Sequence, residues 1–226
     1  MAKFPSIPIN FSIGPVYREV LYKIAMLGVH QDILEIGCLN GYSTSALTTA
    51  LDDGAEFNLT LCDVNLTPGV KNLVGRCSKP VTLRQCPSKS VINFTYDLIF
   101  VDGDHELQTV KEEIKLLLGC CTKTIIFHDT HIIREPRFWG AVLGKAIFDV
   151  HPEYYGFTLH SAKEYYLSLG FSVYTRDKDL YETMYSLLSG GVYNIYPSNV
   201  EKHMFYAQKN YKLGSRLRKA GSVKLL

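Results

Sequence analysis

The sequence predicts an α/β protein built on a mostly parallel sheet, and three observations lead there. Short apolar runs of strand length alternate with amphipathic stretches of helix length between residues 15 and 130. The first run, Ile33-Leu34-Glu35-Ile36, stops at a turn bounded by Gly37 and Gly41, and Tyr42, Ser43 and Thr44 lead directly into a helix. The second, fourth and fifth runs each end on an acid: Asp63, Asp102 and Asp129. In open α/β sheets a ligand sits beyond the carboxyl ends of the strands, so these acids mark the ligand side.

Residues 1–14 read as irregular, with Pro5, Pro8 and Gly14 as breakers. Pro15 suits the first position of a helix, which the stripe Val16, Tyr17, Val20, Leu21, Ile24 and Ala25 carries to about Leu27 before Gly28 ends it. Glu35 interrupts the first strand, and a carboxylate nearly inside a core strand is costly unless something holds it. Gly37 and Gly41 permit a tight turn and close approach of a ligand to the backbone. The next helix runs through Ala46, Leu47 and Ala50 to Leu51, and its start offers free N–H groups. A second strand, Phe57 to Asp63, is followed by a short helix from Pro68 to Val74, started by Thr67-Pro68. A third strand, Val81 to Gln85, leads to the turn Cys86-Pro87-Ser88. The fourth, Asp97 to Val101, ends in Asp102-Gly103-Asp104-His105. A helix from Leu107 to Leu118 and a fifth strand, Thr124 to Phe127, follow, and the strand ends in His128-Asp129-Thr130.

Beyond Thr130 the pattern loosens. Residues 131–137 read as a loop, Phe138 to Val150 as a helix, Ser161 to Leu169 as a helix and Phe171 to Tyr174 as a strand. Leu180 to Leu188 reads as helical, Val192 to Tyr196 as a strand, and the tail from Asn199 as a fraying helix. Phe138, Trp139, Tyr154 and Tyr155 are candidates to line a pocket for a ring or a sugar, or to be core.

At 226 residues with 46% hydrophobic and 20% charged, the chain suits one domain with a sizeable core and argues against global disorder. The expected organisation is a single domain over 1–226. It comprises an N-terminal segment and helix (1–30), an α/β core (31–130) that the resemblance given below makes the cofactor-binding part, further loops, helices and strands (131–198) that it makes the acceptor side, and a basic tail (199–226). From Glu201 onward the tail carries seven Lys or Arg against one acid, while the whole chain is only +2. Such a run is either one solvated helix face or a weak polyanion-binding segment. The six cysteines form no C-x-x-C pair and no zinc-ligand spacing, and read as reduced thiols of a cytoplasmic protein. No apolar run is long enough to span a bilayer, and the first 13 residues show no leader signature, so the sequons at Asn58, Asn65 and Asn93 read as coincidental.

The run LEIGCLNGYST resembles motif I of the class I S-adenosylmethionine-dependent methyltransferases, E-x-G-x-x-x-G. It is most similar to the small-molecule O-methyltransferases related to catechol and caffeoyl-CoA enzymes, and VDGDH is a form found in bacterial and sugar O-methyltransferases. The resemblance covers roughly residues 15–130. It implies a Rossmann-like sheet in the order 3-2-1-4-5 plus two C-terminal strands, with helices on both faces. It also implies cofactor contacts from Glu35, Gly37, Gly41, Tyr42, Ser43, Asp63 (at the ribose), Ser88 (at the adenine edge) and Asp102.

With strands four and five as neighbours, Asp102, Asp104 and Asp129 would converge; clustered carboxylates repel unless a cation, a proton or a base intervenes, and a divalent hard cation suits such oxygen donors. The resemblance sharpens this to Mg²⁺ or another divalent ion on Asp102 and Asp129, with Thr130 standing where relatives carry Asn. His105 stands where relatives carry a lysine base, and a histidine is a plausible acceptor for the proton of a metal-acidified hydroxyl. His128 reads as a buried histidine bonded to a carbonyl, and Asp104 as a helix cap.

The expected reaction is in-line transfer of the sulfonium methyl to a hydroxyl of a small acceptor, with His105 and Asp102 as the reacting-site residues. A homodimer is common among related enzymes. A metal-independent methyltransferase, or an RNA-directed one using the basic tail, is the alternative reading. A nicotinamide-binding domain expects G-x-G-x-x-G rather than this G-x-x-x-G turn, and a DNA amino-methyltransferase expects an Asn/Asp-Pro-Pro-aromatic motif after the fourth strand.

Overall fold

The computed structural model describes residues 2–7, 13–91, 94–130, 139–161, 170–191 and 193–198. In chain order the elements are α1 (Pro15–Ala25), β1 (Asp32–Ile36), α2 (Thr44–Asp52), β2 (Asn58–Asp63), α3 (Pro68–Val74), β3 (Val81–Gln85), β4 (Tyr96–Val101), α4 (Leu107–Cys120), β5 (Cys121–His128), α5 (Trp139–Val150), β6 (Tyr155–Ser161), β7 (Phe171–Thr175), α6 (Lys178–Leu188) and β8 (Tyr193–Pro197). The strands form one sheet in the order β3-β2-β1-β4-β5-β7-β6-β8. The first five are parallel, and β7, β6 and β8 pair antiparallel.

The sheet is sandwiched because its central strands are apolar on both faces. On one face Tyr17, Val20, Leu21 and Ile24 of α1, Ala46 and Leu47 of α2, and Leu180, Met184 and Leu188 of α6 pack over Ile33, Phe100 and Phe171. On the other, Val110, Ile114 and Leu117 of α4 and Phe148 of α5 cover Leu34, Ile99, Ile125 and Phe127. The β1-turn-α2 unit stands in the centre, with β2 and β4 on either side.

The expected order 3-2-1-4-5 holds, with one strand more than expected after β5. Tyr155–Ser161 is a strand in a stretch whose mixed aromatic and histidine content hid its alternation. Phe157 and Leu159 face the core, and Gly156 is needed because the Tyr174 ring occupies the space a Cβ would take. Cys121 belongs to β5 rather than to the connection before it, and Ser161 ends β6 rather than starting a helix.

Tyr154 and Tyr155 do not line a pocket beside the strand ends. Thr124, near the start of β5, and Tyr155 both pair with Thr175, which places them at the opposite end of the sheet. Tyr154 packs edge-on to Phe148 as core, with ring centroids 4.8 Å apart. Phe138, the loop 131–137, residues 162–169 of the helix expected from Ser161 to Leu169, and the basic tail lie outside the described residues. All six cysteines are free thiols. Among the described residues no helix is long and apolar enough to cross a membrane.

Candidate active site

The glycine turn after β1 is held from three sides. Gly37 has φ +86°, and a Cβ there would overlap the backbone of Asp102 and Gly103, so the end of β4 runs directly against it. Gly41 has φ +84°, and a Cβ would press on Val70 and Leu73 of α3. The Asp63 carboxylate accepts from the N–H groups of Cys38 (2.7 Å), Leu39 (3.1 Å) and Asn65 (2.9 Å). Asp63 therefore fastens the end of β2 to the turn, whatever else it contacts. The Thr67 hydroxyl adds a bond to the Leu39 carbonyl, 2.9 Å, tying α3 to the same turn.

Glu35 is fully buried, and the Ser43 hydroxyl donates to its Oε1. Its Oε2 has no hydrogen-bond partner among the described residues. Burial pushes this carboxyl up to about 8 against the pull of the Ser43 and Thr44 hydroxyls, with smaller upward contributions from the Asp102 and Asp63 charges. Tyr42 is buried beside the turn with its ring under the Arg18 guanidinium. The Ser88 hydroxyl does not face outward. It donates to Glu113 of α4, which is itself buried.

At the ends of β4 and β5 two aspartates and two histidines form a ring. His128 Nδ1 lies 2.9 Å from Asp102 Oδ1 and 3.1 Å from Asp129 Oδ1. His105 Nε2 lies 2.9 Å from Asp129 Oδ2 and 3.6 Å from Asp102 Oδ1. Burial works against the ionised form of Asp102, yet the charges and hydrogen bonds of His128 and His105 outweigh it and hold the carboxyl down at about 2. Burial likewise opposes the charged form of His105, and Asp102 and Asp129 override it, raising that imidazole to about 10. His128 is raised too, against its burial, by the charges of Asp102 and Asp129.

His128 is thus a member of the site and not a histidine bonded to a carbonyl. Alternation along a strand sends successive side chains to opposite faces. Asp129 breaks it with φ +60°, which brings its carboxylate back beside His128. Nothing in His128-Asp129-Thr130 as a sequence announces that inversion.

Thr130, expected beside Asp102 and Asp129 as a ligand, has its hydroxyl against another hydroxyl. Its hydroxyl is 2.8 Å from Ser172 Oγ, which is 2.9 Å from Thr158 Oγ1, so it belongs to a buried hydroxyl chain across β5, β7 and β6. Asp104 stays out of the cluster. It accepts from the Glu106 N–H (3.0 Å) and the Thr109 hydroxyl (2.8 Å), shaping the start of α4.

Asp102, His128 and Asp129 each offer a ligand atom within 4.8 Å of the others. Two carboxylates and an imidazole fit a divalent cation that accepts both oxygen and nitrogen, and fit Mg²⁺, which prefers oxygen alone, less well. Tyr17 of α1 is buried against the site, its ring 5.9 Å from His128 and stacked on Phe171 at 5.3 Å.

Residues 34–130 match the model of a methyltransferase domain family. No curated protein matches the chain. Among solved structures the fold is similar to an O-methyltransferase from Bacillus cereus in complex with SAH, at 19% identity and TM-score 0.61, covering 75% of this chain and 84% of that one. It is also similar to the O-methyltransferase TomG of Streptomyces achromogenes, involved in tomaymycin synthesis and solved with SAM. That match has 13% identity and TM-score 0.59 and covers 74% and 82% of the two chains. The SAH-bound methyltransferase PaMTH1 of Podospora anserina matches at 15% identity and TM-score 0.56, covering 72% and 79%. The fold is that of the class I methyltransferases.

Proposed function

We propose that this chain, with its methyltransferase domain and class I fold, is an S-adenosylmethionine-dependent O-methyltransferase acting on a hydroxyl of a small molecule such as a catechol or a sugar. The observation that carries the reading is the ring of Asp102, His128, Asp129 and His105 directly beside the glycine turn, where Gly37 packs on the Asp102 backbone.

Methyl transfer by in-line displacement needs an acceptor oxygen placed behind the sulfonium methyl and relieved of its proton, and positioning supplies much of the acceleration. Asp102 stays ionised and orients both imidazoles. His105, raised to about 10, holds its proton at neutral pH between Asp129 and Asp102. It becomes a proton acceptor as the pH rises toward that value, so the rate increases with pH above neutrality if His105 is the base. A divalent cation would be held by Asp102, Asp129 and His128, and would supply acidity to the acceptor hydroxyl. A metal-independent route is favoured by one observation: the two imidazoles already stand within ion-pair distance of both carboxylates.

The test is transfer of a labelled methyl group to a panel of catechols and sugars in EDTA, Mg²⁺ and Mn²⁺. Asp102→Asn and Asp129→Asn are expected to lower turnover by roughly 100-fold or more. Unchanged turnover in both variants would remove the ring from the reaction. Full wild-type turnover in EDTA would assign the proton transfer to the histidines alone.

A further inference from the structure

Arg18 of α1 stands over the glycine turn. The centre of its guanidinium lies 4.1 Å from the Tyr42 ring centroid and 4.4 Å from that of Phe4, which itself packs edge-on to Tyr22 at 5.6 Å. Ring faces attract the cation but leave its N–H donors, which lie in the guanidinium plane, unspent. Nε is buried without an acceptor among the described residues, and no carboxylate among them is within ion-pair distance of the group. Such a cation calls for an anion beside it.

The neighbouring turn supplies the complement. At the start of α2 the Ser45 and Ala46 N–H groups already donate to the Gly41 and Ser43 carbonyls, and the Ser43 side chain makes no cap. The Ser43 hydroxyl goes instead to Glu35, a fully buried carboxyl whose Oε2 is unpartnered. The turn is therefore bordered by a cation with open donors and by an acid with an open acceptor. Their joint complement is a zwitterion with a carboxylate and an ammonium on adjacent bonds, which is an α-amino acid.

We propose that Arg18 binds the α-carboxylate at the amino-acid end of the methyl donor, held in place by Phe4 and Tyr42, while Glu35 faces the α-ammonium. This rests on the methyltransferase reading above. It makes Arg18 a specificity-determining residue that separates the intact cofactor from fragments lacking the carboxylate.

The experiment compares two probes by calorimetry on the full chain: S-adenosylhomocysteine and its decarboxylated analogue, which keeps the ammonium. The wild type is expected to prefer the first by roughly 10- to 100-fold. Arg18→Met is expected to abolish that preference while leaving the affinity for the analogue unchanged, which also reports that the variant is folded. Arg18→Lys is expected to restore part of it. Equal weakening toward both probes would assign Arg18 to packing, and an undiminished preference would place the carboxylate elsewhere; either result overturns the proposal. If neither probe bound the wild type, the methyltransferase reading itself would fail.

Discussion

Glu35 shows how one buried acid couples the site to stability. Its carboxyl is raised from 4.5 to about 8, chiefly by burial. Between those values the folded protein keeps a proton that the unfolded chain gives up, so the ligand-free fold loses stability as pH rises through that window. The effect is on the order of a few kcal/mol. Glu35→Gln lacks the titration, and its melting temperature is expected to fall less than that of the wild type between about pH 5 and 8. Parallel melting profiles for the two proteins would contradict the assignment. The presence of Glu35 was legible in the sequence because a carboxylate interrupts an apolar run. Its partner Ser43 and its open oxygen were not, since they depend on how the turn folds back over the strand end. The contacts of His128 and Thr130 are not legible in the sequence for a related reason. Those contacts follow from the positive φ of Asp129 and from Ser172, which is 42 residues away from Thr130 in sequence.

The elements that carry the site constrain one another through close backbone approaches. Gly140, near the start of α5, donates its N–H to the His105 carbonyl at 2.9 Å. A Cβ there would overlap that carbonyl and the Val110 side chain. α5 can press on the loop that holds His105 only because this position has no side chain. Gly140→Ala is accordingly expected to displace His105 from Asp129 and to cost roughly 1–3 kcal/mol of stability. Turnover should fall about 10-fold or more, because small displacements at a reacting site are expensive. Equal turnover in wild type and variant, with the fold intact, would show that the contact does not position His105. The helices and parallel strands up to residue 130 were legible because each is an apolar run or stripe closed by a clear breaker, such as Thr67-Pro68 before α3. β6 was not, because Tyr154, Tyr155 and His160 obscure the alternation of Phe157 and Leu159.

Across the whole molecule, the parallel half of the sheet positions the turn, Asp63, Asp102 and the β5 terminus at one edge, and the antiparallel strands β7, β6 and β8 extend the sheet beyond them. α1 crosses that edge and brings Tyr17 to His128 and Arg18 to Tyr42. Helix periodicity identified α1 as a packing helix, but its placement over the site depends on contacts with residues far along the chain. The central claim is that this edge binds the methyl donor, and titration calorimetry with S-adenosylmethionine tests it most directly. We predict one binding event per chain, retained in EDTA and lost in Asp63→Ala, whose carboxylate would no longer hold the Cys38 and Leu39 amides. No binding by the wild type, with or without divalent cations, would contradict the account.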